Sequence, residues 1–451
     1  MKKILAIVLA SLMLLAAVAC STPATATDNT PATNSGSSST AAKPETKTDN
    51  APSGGDTKPA TGGESATTVI DAPTEENNKT VYDDSEYANM TMEELYQAAL
   101  KEGGTLVVYS ETSSTGKSKD NFMKLFPGIE VEVSKYKNYD INAKIPLEYD
   151  ANQPYCDVVI AGDTDGAKYN EWYDAGYVVA YIPEEMKDDL YQDYLVYGLP
   201  ITIEGDVWWY SKTLFPDGSP VNNWWDIIEK DEATGEYKYH LYMHDVSNNT
   251  TCGMLCNLLY RSDELAAAYK EKYGKDLEYT YPADFGVEPN NAGYEWLYRY
   301  LQSNYTVITD SDEILATVDR STEPALGFAA SLKYGDTIEA GENVFFCLGM
   351  TPCTGFAKVK YVYICTKTDN PAAARLFAIY SLGNADGQGE GYPYYVDRNG
   401  CYGVRYSHDD STHSEVSLEE LNIYPSNIGF VYDYSQDVID FWNYFADKLK
   451  K

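Results

Sequence analysis

Four histidines in 451 residues leave little material for general acid–base work. The chain also lacks a nucleophile elbow, a metalloprotease helix and a Walker loop, which argues against an enzyme such as an exported hydrolase. The isolated Gly387-Gln388-Gly389 has no phosphate-binding context. Basic residues are few as well: 34 Lys and Arg face 69 Asp and Glu, for a formal net charge of −35. So acidic a surface repels nucleic acid and anionic lipid, which argues against DNA, RNA or peripheral membrane binding. Beyond residue 20 no stretch approaches the ~18 apolar residues of a spanning helix. The eight cysteines are irregularly spaced, and the seven beyond Cys20 are an odd number, which argues against a complete disulfide framework; Cys156, Cys347 and Cys365 sit in apolar runs, where a small buried hydrophobe is expected. Tyrosine, by contrast, is abundant at 41, and its packed ring and wet hydroxyl suit partly exposed or cleft-lining positions.

The N-terminus carries a basic start, Met1-Lys2-Lys3, then an apolar run from Ile4 to Val18, then small residues leading into Cys20. Charge, grease and small residues in that order read as a secretory signal peptide. A cysteine directly after Ala17-Val18-Ala19 resembles a bacterial lipobox, with Ala17 where Leu is more usual. The resemblance implies that 1–19 is removed and Cys20 acylated. The mature chain would then stand on the outer face of the cytoplasmic membrane, attached through its lipid only. Residues 20–88 are rich in Ser, Thr, Pro and Gly and poor in large apolar side chains, so they are expected to be a disordered tether.

The body opens on a capping box, Thr91-Met92-Glu93-Glu94, whose helix stops at Gly103-Gly104. Thr105 to Tyr109 predicts a buried strand, 110–116 a polar hinge, and the next residues a helix through Phe122 and Leu125. Ile129 to Val133 alternates as a second strand, and Cys156 to Ile160 is a third, ending at Gly162-Asp163. Strand–helix–strand alternation predicts an α/β layer with a mainly parallel sheet. Ligands bind beyond the carboxyl ends of such strands, which points at 110–116 and 162–164. Further along, Val207 to Tyr210 and Val359 to Cys365 predict strands, Trp224 to Ile228 a helix start, and Tyr237 to His244 a strand-like segment. The polar run Asp245 to Thr251 opens a helix; Pro371 begins another that ends at Gly383; Ser417 to Glu420 is a second capping box; and Asp437 to Leu449 is a final amphipathic helix.

In order and spacing, several segments resemble the extracellular solute-binding proteins of ATP-driven (ABC) importers, in the branch that includes ferric-iron, sugar-phosphate and phosphonate binders. They are Gly104 to Ser110, Pro154 to Asp163, Trp172 to Tyr181, Tyr210 to Leu214 with Trp224-Trp225-Asp226, Pro324 to Phe328, and Asn370 to Phe377. The resemblance implies an α/β, two-lobed fold of the periplasmic-binding-protein type 2 kind. Each lobe would be a mixed, mainly parallel sheet with helices on both faces, and the cleft would lie between the lobes. Lobe 1 is expected over 89–199 and 352–391, and lobe 2 over 200–351 and 392–451. A monomer of this design carries no cofactor and performs no covalent chemistry; it captures a small polar solute and hands it to the permease subunits of its importer. A surface adhesin or wall-binding lipoprotein that reuses the fold is the alternative outside transport.

Two helix starts should face that cleft, Ser113 to Lys117 from one lobe and Asn248 to Cys252 from the other, each offering unpaired N–H groups and polar side chains. The candidate ligand contacts are Ser110, Glu111, Ser113, Ser114, Gly162, Asp163, Tyr210, Asn248, Asn249, Thr250 and Phe328. Iron binders of the family place a tyrosine pair just after the Gly327-Phe328 landmark; Ala329-Ala330-Ser331 stands there, without the phenolates a hard ferric ion needs. A zinc alternative would use His240, His244, Cys252 and Cys256.

Overall fold

The structure is a computed structural model that describes residues 78–153, 156–384 and 389–449; Cys20, the leader and the tether up to residue 77 lie outside them. Twelve strands make one mixed sheet: β1 (Thr105–Ser110), β2 (Glu130–Lys135), β3 (Val158–Gly162), β4 (Val178–Val179), β5 (Leu199–Ser211), β6 (His240–Met243), β7 (Tyr305–Val307), β8 (Ala325–Ala330), β9 (Val344–Phe346), β10 (Gly355–Cys365), β11 (Cys401–Tyr402) and β12 (Ile423–Tyr424). Its main order is β2-β1-β3-β10-β5-β8-β6-β7. β1, β2 and β3 run parallel, as do β6, β7 and β8. Between these wings lie β5 and β10, antiparallel to each other and to the wing strands beside them.

Two hydrophobic clusters, one on each wing, define two lobes. The first gathers Leu106, Val108, Phe122, Ile160, Trp172 and Phe377; the second gathers Trp208, Trp224, Leu255, Trp296, Phe328 and Phe441. Both long central strands contribute to both cores. Along β5, Leu199 to Val207 feed the first cluster while Trp208 and Tyr210 feed the second; along β10, Phe356 belongs to the second and Val359 to Cys365 to the first. β5 and β10 are therefore the crossing segments.

Three expectations need correction. The tether does not reach residue 88, because the chain is already bound to the body from about Asn78. Thr80 Oγ1 donates to the Val196 carbonyl at 2.5 Å, Tyr82 bridges to Ala180, and Asp83 pairs with Arg375 at 2.6 Å with both side chains nearly inaccessible. Second, residues from 392 to 421 do not join the second lobe. Tyr392, Tyr395, Tyr402 and Leu421 pack into the first core, because β11 pairs with β5 at Ile203 and Glu204. Third, the final helix starts earlier, at Ile428, and the helix at Trp224 is a single turn whose two indoles anchor to the carbonyls of Cys353 and Leu265. Both capping boxes form as expected, at Thr91 and at Ser417.

Candidate functional site

A cleft of about 730 Å³ opens where the two helix starts face each other across the central strands. On the first lobe the hinge after β1 runs into the helix Ser113–Leu125, capped by Thr112, whose side chain accepts from the Ser114 N–H at 3.2 Å. On the second lobe Asn248 caps the helix Asn249–Tyr260 by accepting from the Thr250 N–H at 2.9 Å. Glu111, Ser113 and Ser114 from one side and Asn248, Asn249 and Thr250 from the other line the space. The lobes touch there: Asn249 Nδ2 donates to Thr164 Oγ1 at 2.9 Å, and the same oxygen accepts from Asn138 Nδ2 at 3.2 Å.

The remaining candidates are placed differently. Ser110 is fully buried beneath the wall, where its hydroxyl meets Thr115 Oγ1 at 2.8 Å and shapes the hinge. Gly162 ends β3 within the buried sheet behind Glu111. Asp163 is buried behind the cleft and accepts from the N–H groups of Lys168 and Tyr169 at 2.9 and 2.8 Å, capping the next helical turn. Burial pushes its carboxyl up to about 6, against the pull of Lys168 and the two backbone donors. Tyr210 and Phe328 are core residues and do not line the cleft: Phe328 packs on Trp208 at 5.2 Å, and Tyr210 lies beside Phe215. Both side chains belong to the second core.

The floor of the cleft escaped the sequence reading. β5 and β10 pair so that Lys358 lies opposite Glu204 and Lys360 opposite Thr202, and the alternation of the pleat brings Thr202, Glu204, Lys358 and Lys360 to the cleft face. Lys360 is ion-paired with Glu204, with Glu111 Oε1 at 3.9 Å. Burial opposes the Lys360 charge, but Glu204 and Glu111 outweigh it and raise its pKa; burial likewise opposes the Glu204 carboxylate, and Lys360 and Lys358 outweigh it and lower its pKa. Lys358 is held by the charges of Asp206 and Glu204, which overcome the burial that works against its ammonium. Asp206 is buried, its Oδ1 makes no hydrogen bond among the described residues, and burial raises its pKa. Lys135, Lys137 and Arg398 complete the wall, so the cleft gathers five cationic side chains against the two carboxylates of Glu111 and Glu204. The signal lay in Thr202-Ile203-Glu204-Gly205-Asp206 and Lys358-Val359-Lys360, where polar and charged residues recur with period two inside otherwise apolar strands.

The zinc alternative fails on convergence. His244 uses both ring nitrogens, toward the Ile308 carbonyl at 2.8 Å and Ser311 Oγ at 2.9 Å, and His240 Nε2 meets Thr306 Oγ1 at 2.8 Å. Those histidines and the Cys252–Cys256 pair form no common donor set among the described residues. At the position of the iron-binding tyrosines, Ser331 Oγ donates to the Gly400 carbonyl at 2.6 Å and accepts from the Gly205 N–H at 2.8 Å, so it fastens strands together.

No family model matches the chain, and no curated protein is similar to it in sequence. Solved structures do share its fold. Ferric iron-binding protein A of Mannheimia haemolytica, in an open conformation, superposes with a TM-score of 0.54 at 13% identity, over 77% of this chain and 99% of that one. Iron-bound HitA from Pseudomonas aeruginosa gives 0.53 at 13% identity, over 76% and 99%. The binding protein MotA from A. tumefaciens B6, in complex with glucopine, gives 0.51 at 10% identity, over 76% and 100%. The fold is the two-lobed type 2 periplasmic-binding-protein fold.

Proposed function

We propose that this protein is a solute receptor of an ABC importer, and that the solute is a small anion bearing carboxylate or phosphate oxygens. One observation carries the reading: a chain with a net charge of −35 gathers Lys135, Lys137, Lys358, Lys360 and Arg398 around one interlobe cleft. Concentrated against the sign of the whole molecule, these cations favour an anionic guest through charge-assisted hydrogen bonds. Two helix N-termini on opposite walls add donors of the same sense. The solved relatives of this fold include binders of ferric ion and of glucopine, which agrees with a receptor in kind and leaves the ligand class to the cleft's own residues. In the same reading Cys20 is acylated, the permease subunits receive the closed form, and the protein has no catalytic role.

Thermal shift against a panel of mono-, di- and tricarboxylates, phosphate esters, neutral sugars and amines tests the proposal. Saturating ligand at a hundredfold excess over Kd stabilises by about 2.7 kcal/mol, enough to read as a clear rise in Tm. Anionic solutes should raise Tm and their neutral analogues should not. A shift by neutral sugars alone would refute the anion assignment.

A further inference from the structure

We propose a second site, for a divalent transition metal of the kind zinc represents, on Asp397, His408 and His413. One ligand-capable atom of each lies within 4.8 Å of one from each of the others, the one such grouping of three among the described residues. The ring of His413 is oriented for the task. Its Nε2 makes a hydrogen bond to the Cys401 carbonyl at 3.3 Å, and a carbonyl can only accept, so Nε2 carries the proton and Nδ1 presents a lone pair. That Nδ1 lies 3.7 Å from Asp397 Oδ1. A ligating histidine whose other nitrogen is held by a backbone carbonyl is the arrangement that fixes tautomer and ring orientation at metal centres. The Thr412 hydroxyl, 3.2 Å from the same Nδ1, is an exposed contact that a metal would replace.

His408 supplies an independent indication. Its Nε2 is buried and makes no hydrogen bond among the described residues, although Asp410 Oδ1 lies 3.4 Å away. Asp410 Oδ1 also lies 3.6 Å from His413 Nε2 and accepts from the Gly403 N–H at 2.9 Å, which places a second carboxylate oxygen at the edge of the group. The two rings stand 5.6 Å apart at 38°, neither stacked nor edge-on. Tetrahedral zinc with bonds of about 2.0–2.1 Å puts its donors roughly 3.3 Å apart, so small side-chain rotations close the set. Two imidazoles with carboxylate suit zinc or a similar borderline ion, whereas calcium and magnesium prefer all-oxygen sites. The site adjoins the cleft through the chain: Asp397 precedes Arg398, and Cys401 both holds His413 and lines the cleft. A bound ion would pin the loop that carries the cleft's one arginine.

The test is titration of the chelator-treated full chain with Zn²⁺ by calorimetry. One ion per chain is expected. Asp397 is largely exposed at 48%, so Asp397→Asn should keep the metal-free Tm and lose affinity at least tenfold; the pair His408→Ala and His413→Ala should abolish binding. Absence of stoichiometric binding, or affinity unchanged in Asp397→Asn and in the double variant, overturns the site.

Discussion

Two lysines two residues apart on β10 have different consequences when removed. Half-buried Lys360 is paired with Glu204, whose side chain is 4% exposed, so Lys360→Met strands a carboxylate in the sheet. Breaking one side of a buried pair costs about 3–5 kcal/mol, and chemical denaturation should register most of it. Lys358 faces Asp206 and Glu204, and Glu204 keeps its ion pair with Lys360 when Lys358 is removed. Lys358→Met should therefore cost less stability than Lys360→Met while weakening the anionic solute about ten- to a hundredfold, as expected for loss of a charge-assisted hydrogen bond; calorimetry with the best thermal-shift hit measures it. Asp163 gives a pH signature of its own. Its pKa is about 6 in the folded protein and near 3.8 when unfolded, so the native state binds the extra proton. Its contribution is most favourable at low pH and is lost as pH rises from about 4 to about 6. Subtracting the stability curve of Asp163→Asn from that of the wild type should isolate this decline, on the order of 1–3 kcal/mol over that window. A flat difference would show that Asp163 does not titrate there.

At the scale of elements, the two helix starts act together only when the lobes are near. Asn249 is exposed and its bond to Thr164 is a single neutral contact, so Asn249→Ala should shift the ligand-free Tm little. The bonded pair nevertheless joins the wall that carries Ser114 to the wall that carries Thr250, so Asn249→Ala should weaken solute binding several-fold and enlarge the ligand-bound radius of gyration in solution scattering. Both helix starts were legible in sequence, because Thr112 and Asn248 are capping residues directly before periodic segments. The parallel wings were legible for a similar reason: their strands are short apolar runs between turn signals. The crossing strands were legible only in part, at Val207 to Tyr210 and Val359 to Cys365, and their polar stretches were not. Thr202 to Asp206 and Lys358 with Lys360 look like surface positions, since charge inside a strand ordinarily means solvent, and only the pairing of β5 with β10 turns them toward a shared cleft. Tyr210 and Phe328 misled in the opposite sense, because a buried aromatic core and an aromatic ligand wall have the same composition.

The whole molecule sets a contradiction between its far field and its cleft. At a net charge of −35 the protein repels an approaching anion, yet the cleft that would hold it gathers five cations. The two fields differ in range. At about 0.01 M ionic strength the Debye length is about 30 Å and the repulsion reaches well beyond the surface; at 0.15 M it is about 8 Å. Contacts to half-buried Lys358 and Lys360 are screened far less than charges on the exposed surface. Added salt should therefore remove the barrier to approach while sparing the bound complex. Stopped-flow fluorescence of the chain with its anionic solute should show the association rate rising a few-fold between these salt concentrations and the dissociation rate nearly constant. A neutral analogue should show no such rise. If instead association falls steeply as salt is added, the attraction of the cleft governs the encounter and the acidic surface is irrelevant to capture. The proposed lipid at Cys20 enters here as well, since an anionic bilayer surface would extend the repulsion over the tethered receptor. Cys20→Ser should release the chain from the membrane, seen as loss of acyl labelling, and leave the salt dependence of the purified body unchanged.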